Sequence, residues 1–341
     1  MKRFPHLVPV LGAAALLAAL CFIKPPGGSP ADVPIHRSDF LLNTFVDIAI
    51  YDSRDESILD GAMALCREYE NRFSRTLSGS EVYRLNHRED ATGTYPLSDD
   101  MTDLLATALY YCERSGGAFD ITTEPLSSLW NFSGTSPEVP PAAAIEEARK
   151  KVDYKKLRLD GTRSTLTFLD PGTSIDLGAI AKGYIADRLK AYLLDSGVES
   201  AMINLGGNVL CMGSRPDGTP FTVGLQKPFA DRNETFAQVE VSDLSVVASG
   251  VYERHFVEDG KNYHHILDPS TGYPYDNGLI SVTILSERSV DGDALSTTCF
   301  SLGLSRGMEL VESMDGVYAC FIDEDYQIHY SDGMEKFLRK D

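Results

Sequence analysis

The chain has 341 residues, which is enough for one large domain or two small ones and for a sizeable hydrophobic core. Apolar residues make up 43% and charged residues 24%, so a fibrous, collagenous or wholly disordered chain is excluded. The formal charge at pH 7 is −19, from 31 Lys and Arg against 50 Asp and Glu. Because so acidic a surface repels phosphate backbones, we expect no nucleic-acid partner, and any polyphosphate ligand would need a cation held beside it.

The N-terminal segment, residues 1–24, has the pattern of an export signal. Lys2 and Arg3 precede an uncharged apolar run over residues 7–23, which is the order of the basic and hydrophobic regions in such signals. Cys21 lies near the end of this run and predicts a bacterial lipoprotein acylation site. An uncleaved membrane anchor is the alternative, because the run approaches the length of a bilayer span. We therefore expect the protein on the extracytoplasmic face of the cell membrane, lipid-anchored at Cys21.

The rest of the chain is predicted to be a short spacer followed by one folded domain. Residues 25–35 are rich in Pro and Gly, a composition typical of a flexible linker. No further segment of this kind interrupts residues 36–341, which we assign to a single domain. The cysteines after Cys21 have no CxxC or Cys/His metal spacing, so buried free thiols are favoured over a disulfide framework: these are Cys66, Cys112, Cys211, Cys299 and Cys320.

Hydrophobic periodicity predicts the secondary structure in chain order. The first half contains a strand at 42–51, helices at 55–73, 99–111 and 142–152, and a hairpin at 157–169. The second half contains a helix at 180–194, a strand–turn–strand unit at 201–212, several strands within 221–265, helices at 293–302 and 305–314, and a hairpin at 317–330. Strands and helices mix without a steady βαβ alternation. The predicted fold class is therefore α+β, a single domain of layered mixed sheets with helices packed on them.

Four polar, Gly-rich segments between apolar elements are candidates for a functional site: residues 116–122, 176–184, 204–208 and 264–274. In the second segment, a strand is predicted to run into a helix, with Gly178 at the turn and Lys182 in the first turn of the helix. Free amides at a helix N-terminus attract anions and the ammonium adds positive charge; a solvated Lys on a helix surface is the alternative. The paired Gly206 and Gly207 of the third segment either let a ligand approach the backbone or only make a tight turn.

A fifth segment, residues 291–298, places Asp293 and Thr297 four positions apart at the start of a predicted helix. This spacing puts both side chains on one face of the helix. A carboxylate and a hydroxyl are hard oxygen ligands that suit Mg²⁺. The alternative is an N-cap Asp beside an ordinary buried Thr.

Together these segments resemble the family of FAD:protein FMN transferases, the ApbE-like flavin transferases. Five ordered motifs carry the resemblance: Gly-Ala-Phe-Asp with Pro-Leu and Trp over 117–130, Asp-Leu-Gly-x-Ile-Ala-Lys-Gly over 176–183, Asn-Leu-Gly-Gly-Asn over 204–208, His-Ile-Leu-Asp-Pro-x-Thr-Gly-Tyr-Pro over 265–274, and Asp-Ala-Leu-Ser-Thr over 293–297. Two positions depart from the family pattern. Leu42 stands where many members have Met, and Thr76 stands where some members have a Tyr over the flavin.

The resemblance implies an α+β, T-fold-like architecture and an enzyme that splits the pyrophosphate of FAD. The FMN half would pass to a Thr (or Ser) hydroxyl of an exported acceptor protein, a membrane redox subunit, forming a phosphoester and releasing AMP. Mg²⁺ would be held by Asp293, Thr297 and the backbone carbonyl of Ala179. His265 would be the base for the acceptor hydroxyl, since a His side chain titrates near neutrality, or it would only orient a substrate.

By the same resemblance, FAD would contact residues from several motifs. Lys182 would contact FAD directly and Asp176 would fix the nucleotide by hydrogen bonding. The other residues implied to line the pocket are Leu42, Thr76, Ala118, Phe119, Asp120, Ile266 and Leu267. Two alternative functions are an FAD pyrophosphatase that passes FMN to water and an FAD-binding lipoprotein for flavin supply.

Overall fold

In a computed structural model of the chain, residues 33–231 and 233–340 are described. The predicted export segment, with Cys21, and most of the predicted linker lie outside these residues. Within the described part, no helix is both long enough and apolar enough to cross a bilayer. The fold is α+β, as the sequence predicted.

The described residues contain fifteen strands and seven helices. The strands are β1 (Ile35–Leu41), β2 (Thr44–Ile50), β3 (Thr94–Pro96), β4 (Leu157–Asp160), β5 (Thr165–Phe168), β6 (Ala201–Leu205), β7 (Asn208–Met212), β8 (Phe221–Gln226), β9 (Thr235–Val241), β10 (Leu244–Gly250), β11 (His255–Glu258), β12 (Lys261–His264), β13 (Leu279–Ser286), β14 (Tyr318–Asp323) and β15 (Ile328–Tyr330). The helices are α1 (Glu56–Phe73), α2 (Glu81–Asn86), α3 (Asp99–Arg114), α4 (Glu124–Trp130), α5 (Ala142–Arg149), α6 (Ala181–Asp195) and α7 (Ser289–Glu312).

An eight-stranded antiparallel sheet, in the order β1-β2-β6-β7-β10-β13-β14-β15, organises the molecule. Every residue of β13 is buried, because this strand is covered on both faces. Val282 and Ile284 join the larger core, to which α1, α6 and α7 also contribute. Leu285 points to the other face and joins a smaller core with the hairpin β8–β9. The sheet therefore separates a helical layer from a hairpin layer.

The first hairpin corrects the strand predicted at 42–51. Leu42 and Asn43 form its turn, with φ of 55° and 56°, and Leu41 pairs with Thr44 across it. Two consecutive residues with positive φ are typical of the tight turns that suit the twist of a hairpin. β1 was not predicted, because the four consecutive polar residues 36–39 leave it without an alternating apolar pattern.

The extended residues before α6 also differ from the prediction of a strand there, since residues 171–180 belong to no sheet. The Asn86 side chain takes the place of a neighbouring strand. Its Oδ1 accepts from the Ile175 N–H and its Nδ2 donates to the Ile175 carbonyl, both at 2.8 Å. The Asp176 N–H donates to the Ile121 carbonyl at 2.8 Å. These contacts hold the segment straight as it enters α6.

Two other predictions concern helix continuity and the cysteines. The two helices predicted at 293–302 and 305–314 form one run, α7, which is broken at Gly303 by non-helical angles of φ 78° and ψ 172°.

The predicted free, buried state is confirmed for five cysteines: Cys66, Cys112, Cys211, Cys299 and Cys320. Helices α2 and α4 were not predicted, because each is only six or seven residues long.

Gly183 allows α6 to pack closely against the start of α7. A Cβ atom built on Gly183 would lie 2.2 Å from the Ser289 carbonyl oxygen, which is backbone and cannot turn aside. We expect Gly183→Ala to lower the free energy of unfolding by about 2–3 kcal/mol, measured by urea denaturation. Gly161→Ala is the control, because no heavy atom lies within 4 Å of a Cβ there. Equal stability of the two variants would contradict the close packing.

Candidate active site

Asp293, in the second turn of α7, meets the N-terminus of α6. Its side chain is buried, with the whole residue 4% exposed. The Gly183 N–H, one of the amides that begin α6, donates to Asp293 Oδ2 at 2.9 Å. The Lys182 ammonium lies 3.5 Å from Asp293 Oδ1 and 3.3 Å from the Gly178 carbonyl oxygen. A buried carboxylate is therefore stabilised by a helix N-terminus and an ammonium.

Thr297 lies one turn further along α7 and is half-buried. Its Oγ1 is 3.1 Å from the hydroxyl oxygen of Ser249, on β10. Ser249 Oγ is also 2.8 Å from Ser296 Oγ, and Ser296 donates to the Asp293 carbonyl at 2.9 Å. A group of three hydroxyls thus adjoins the backbone of Asp293.

Asp176 lies in the turn that precedes α6. Its Oδ1 accepts from the Gly178 N–H at 3.0 Å and its Oδ2 is 3.2 Å from Arg75 Nε. Arg75 also donates to Ser128 Oγ at 2.8 Å and lies 3.6 Å from Glu124 Oε1. The carboxylate of Asp176 therefore has a cationic partner from a distant part of the chain.

His265 and its neighbour His264 have different environments. The His264 ring is buried, with Nε2 2.9 Å from the Tyr275 carbonyl and Nδ1 accepting from the Ile266 N–H, which indicates a structural role. His265 is anchored by its own N–H, which donates to the Arg254 carbonyl at 3.1 Å. Its Nδ1 is buried and, among the described residues, has no hydrogen-bond partner.

The protonation of His265 differs from the sequence-based assumption that it titrates near neutrality. Burial, with further contributions from Arg254, His264 and Lys182, lowers the pKa of His265 to about 3. The imidazole is therefore neutral at pH 7 and can accept a proton, but it is a weaker base than an ordinary His.

Hydrogen bonds connect the motifs that the sequence places far apart. The Trp130 Nε1–H donates to the Gly272 carbonyl at 2.8 Å, and the Tyr275 hydroxyl donates to the Ala118 carbonyl at 2.9 Å. The third motif joins through Asn208, whose Oδ1 accepts from the Ser289 hydroxyl at 2.7 Å at the start of α7. The Gly183–Asp293 contact and the bond from the Asp176 N–H to the Ile121 carbonyl complete the connections, so that all five motifs are linked.

The remaining residues implied to contact FAD fall into two groups, and the first is the loop 118–120. Phe119 is buried in the larger core and Ala118 is half-buried. The Asp120 carboxylate accepts from the Thr122 N–H and hydroxyl and from the Tyr154 N–H, at 2.6–2.9 Å. Burial raises the pKa of Asp120. These bonds fix the loop and occupy the carboxylate.

The second group consists of residues from other parts of the fold. Ile266 belongs to the larger core, whereas Leu267 packs in a separate cluster with Trp130. Leu42 lies in the turn of the first hairpin, where its N–H donates to Glu70 Oε1 at 2.9 Å. Thr76 is exposed, and its hydroxyl is 3.3 Å from Ser74 Oγ. The structure thus does not gather Leu42 and Thr76 into the hydrogen-bonded group around Asp293.

Two residues of the site were missed by the sequence reasoning. Ser249 lies in a largely apolar strand, directly before Gly250, and the surrounding sequence contains no motif that indicates a functional role. Arg75 follows α1 with no motif of its own. Ser249 contacts Thr297, 48 positions away in the chain, and Arg75 contacts Asp176, 101 positions away.

The oxygen donors fit a Mg²⁺ ion that takes few protein ligands. Asp293 contributes a carboxylate and Thr297 a hydroxyl, and the Ala179 carbonyl belongs to the turn that enters α6. Across residues 33–231 and 233–340, no group of three or more His, Cys, Asp or Glu side chains converges on one point. Mg²⁺ in proteins often binds one or two carboxylates and completes its shell with water and substrate phosphates.

A family model described as the ApbE family matches residues 42–322 of this chain. The chain belongs to the ApbE family. The family predicted from the motifs is thereby confirmed, and the named relatives that follow confirm the predicted enzyme class.

Curated and solved ApbE relatives are similar over most of their length. An FAD:protein FMN transferase of Klebsiella pneumoniae is 37% identical over 293 residues, covering 85% of this chain and 90% of the relative. One from Treponema pallidum is 32% identical over 343 residues, covering 95% and 94%. The crystal structure of the ApbE protein of Thermotoga maritima has a TM-score of 0.82 and 32% identity, covering 90% of this chain and 100% of that one. The flavin transferase ApbE of Vibrio cholerae has a TM-score of 0.80 and 27% identity, covering 89% and 99%.

Proposed function

We propose that this ApbE-family chain transfers the FMN moiety of FAD to a Thr (or Ser) hydroxyl of an acceptor protein and releases AMP, with Mg²⁺ bound by Asp293, Thr297 and the Ala179 carbonyl. The observation that carries the proposal is the meeting of Asp293, the α6 N-terminus and Lys182. In a chain of net charge −19, this is a local combination of oxygen donors and positive charge that suits a diphosphate. When bound, Mg²⁺ would neutralise charge on the phosphate oxygens.

The proposed reaction transfers the proton of the acceptor hydroxyl to His265 and releases AMP as the leaving group. The acceptor hydroxyl oxygen forms a bond to the phosphorus of the FMN phosphate, and the P–O bond that bridges to AMP breaks. The hydroxyl proton passes to the neutral imidazole of His265, and AMP leaves with the bridging oxygen. Lys182, in the first turn of α6, holds the phosphates in place through its ammonium charge.

The direct test mixes the full chain with FAD, Mg²⁺ and a protein that carries a candidate acceptor Thr. Mass spectrometry of the acceptor should show one added FMN, and chromatography should show AMP. Free FMN with an unmodified acceptor would favour an FAD pyrophosphatase. FAD binding without AMP release would favour a flavin-binding lipoprotein.

We also propose that the enzyme and its acceptor act at the outer face of the cell membrane. The proposal rests on the export pattern of residues 1–24 and the acylation pattern at Cys21. Tethering both proteins to one surface would raise their effective concentration. Labelling of whole cells with radioactive palmitate, compared with a Cys21→Ala variant, tests the lipid anchor.

Lys182 is expected to contribute to FAD affinity through its charge. Lys182→Ala should weaken FAD binding about tenfold, measured by fluorescence titration with Mg²⁺ present, because one charge-assisted contact to a phosphate is lost. Lys190→Ala is a matched control on the same helix, since Lys190 pairs with Asp243 at 2.7 Å instead. An unaltered titration of Lys182→Ala would show that this side chain is only a solvated residue of α6.

The low pKa of His265 predicts an unusual pH profile. The active form is the neutral ring, and a pKa of about 3 keeps it neutral down to acidic pH. We expect kcat/KM for FAD, which reports the free enzyme, to change less than about twofold between pH 7.5 and 5.5, where a base with an ordinary pKa would lose about tenfold. Circular dichroism at each pH would verify that the protein stays folded. A fall in kcat/KM with a midpoint near pH 6.5 would contradict the lowered pKa of His265.

A further inference from the structure

Three hydroxyl groups form a connected chain beside Asp293. Ser296 Oγ lies 2.9 Å from the Asp293 carbonyl oxygen, and Ser249 Oγ lies 2.8 Å from Ser296 Oγ. Ser249 Oγ also lies 3.1 Å from Thr297 Oγ1. Ser249 is the member supplied by β10, whereas the others belong to α7. The chain therefore joins the central sheet to the helix that carries the carboxylate.

The directions of these hydrogen bonds follow from counting hydrogens. Each hydroxyl has one hydrogen to donate, and a carbonyl oxygen can only accept. Ser296 must therefore donate to the Asp293 carbonyl, so its contact with Ser249 requires Ser249 to be the donor. The hydrogen of Ser249 is then used, and its contact with Thr297 requires Thr297 to donate. This is the only arrangement in which all three contacts are hydrogen bonds.

This arrangement fixes the polarity of the Thr297 hydroxyl. Its hydrogen points to Ser249 on β10, and the lone pairs of Oγ1 are left free of the hydroxyl chain. A metal ligand must present lone pairs, and a hydroxyl that is free to rotate can instead turn its hydrogen toward a cation. Hydrogen-bond partners that orient a ligand commonly contribute a factor of about 10–100 to metal affinity.

We propose that Ser249 is a positioning residue that holds the Thr297 hydroxyl with its lone pairs available to Mg²⁺. The inference rests on the proposed function, because the cation is the one assigned there to Asp293 and Thr297. In this role Ser249 acts through Thr297, whose hydroxyl it orients. A role in filling space would be served equally by Ala at this half-buried strand position.

The chain offers a matched control on the same strand. Ser245 also lies on β10, and its hydroxyl donates to Ser289 of α7 at 2.8 Å. Ser245→Ala therefore removes a strand-to-helix hydrogen bond of the same kind and length, four residues from Ser249, without touching the hydroxyl chain. Ser249→Thr retains a hydroxyl in a residue that strands favour.

The experiment titrates Mg²⁺ into the metal-free full chain by calorimetry and records the melting temperature of each variant in EDTA. We expect Ser249→Ala to bind Mg²⁺ about tenfold more weakly than the native protein. Ser249→Thr should restore binding close to the native value. Ser245→Ala should bind Mg²⁺ as the native protein does, even where its melting temperature falls.

Three results would overturn the inference: native affinity in Ser249→Ala, an affinity in Ser249→Thr as weak as in Ser249→Ala, or an equal loss of affinity in Ser245→Ala. The last would show that general loosening between β10 and α7 is the cause. A native protein that binds no Mg²⁺ would contradict the proposed function itself. Failure of the inference and failure of the proposed function are therefore distinguishable.

Discussion

Asp293→Asn is expected to reduce Mg²⁺-dependent transfer of FMN by about 10³-fold or more, because the site would lose its buried carboxylate while keeping its shape. Asn can still accept a hydrogen bond from the Gly183 N–H, so the junction of α6 and α7 should persist. A metal held at phosphate oxygens supplies several kcal/mol of transition-state stabilisation, which corresponds to this factor. The assay is the mass of the acceptor after incubation with FAD and Mg²⁺, with an EDTA-treated sample alongside.

Asp291 provides the control for this prediction. It lies two residues before Asp293 on α7, but its Oδ1 accepts from the Tyr111 hydroxyl at 2.9 Å and its Oδ2 lies 3.4 Å from Arg288. We expect Asp291→Asn to retain transfer activity and to lower only the stability of the folded protein. If Asp293→Asn modified the acceptor at the native rate, Asp293 would be removed from the metal site.

His265→Asn is expected to lower the rate of transfer by about 10²–10⁴-fold, the usual contribution of a general base. FAD affinity should change little, because the proposed function assigns the phosphate contact to Lys182 and not to His265. The prediction is tested by measuring kcat and KM for the acceptor together with the Kd for FAD. A raised KM with an intact kcat would instead show that His265 only orients the acceptor.

A variant of the neighbouring His264 is the control that distinguishes a chemical role of His265 from a structural one. Both of its ring nitrogens are engaged by backbone groups, and the ring packs edge-on against Phe300 at 5.8 Å. His264→Asn should therefore lower the melting temperature without a comparable loss of kcat. Equal losses of kcat in the two variants would mean that both act by disturbing the same segment.

The sequence was sufficient to predict the elements whose pattern is local. The apolar spacing of α1 and α6 and the Gly turn between β6 and β7 are visible in consecutive residues, and the structure places them within a few residues of the predicted bounds. The pairing of Asp293 with Thr297 follows from helical spacing alone. The resemblance of five motifs then indicated the family, which a similar relative at 37% identity supports.

The parts that could not be predicted depend on contacts between distant residues. Asn86 replaces a strand beside Ile175, and Arg75 reaches Asp176, although neither pair is close in the chain. The pKa of His265 departs from its usual value because of burial, which residue type and spacing do not reveal. The contacts of Ser249 with the Ser296 and Thr297 hydroxyls on α7 cannot be predicted from its own stretch of sequence.

Burial lowers the reactivity of the five cysteines in the described part of the chain. Burial raises the pKa of Cys66, Cys211, Cys299 and Cys320 to about 12, and it also raises the pKa of Cys112. Only the thiolate attacks disulfides and oxidants, and at neutral pH these residues hold almost none of it. These five thiols are therefore expected to react slowly with oxidants and disulfides as long as the protein stays folded.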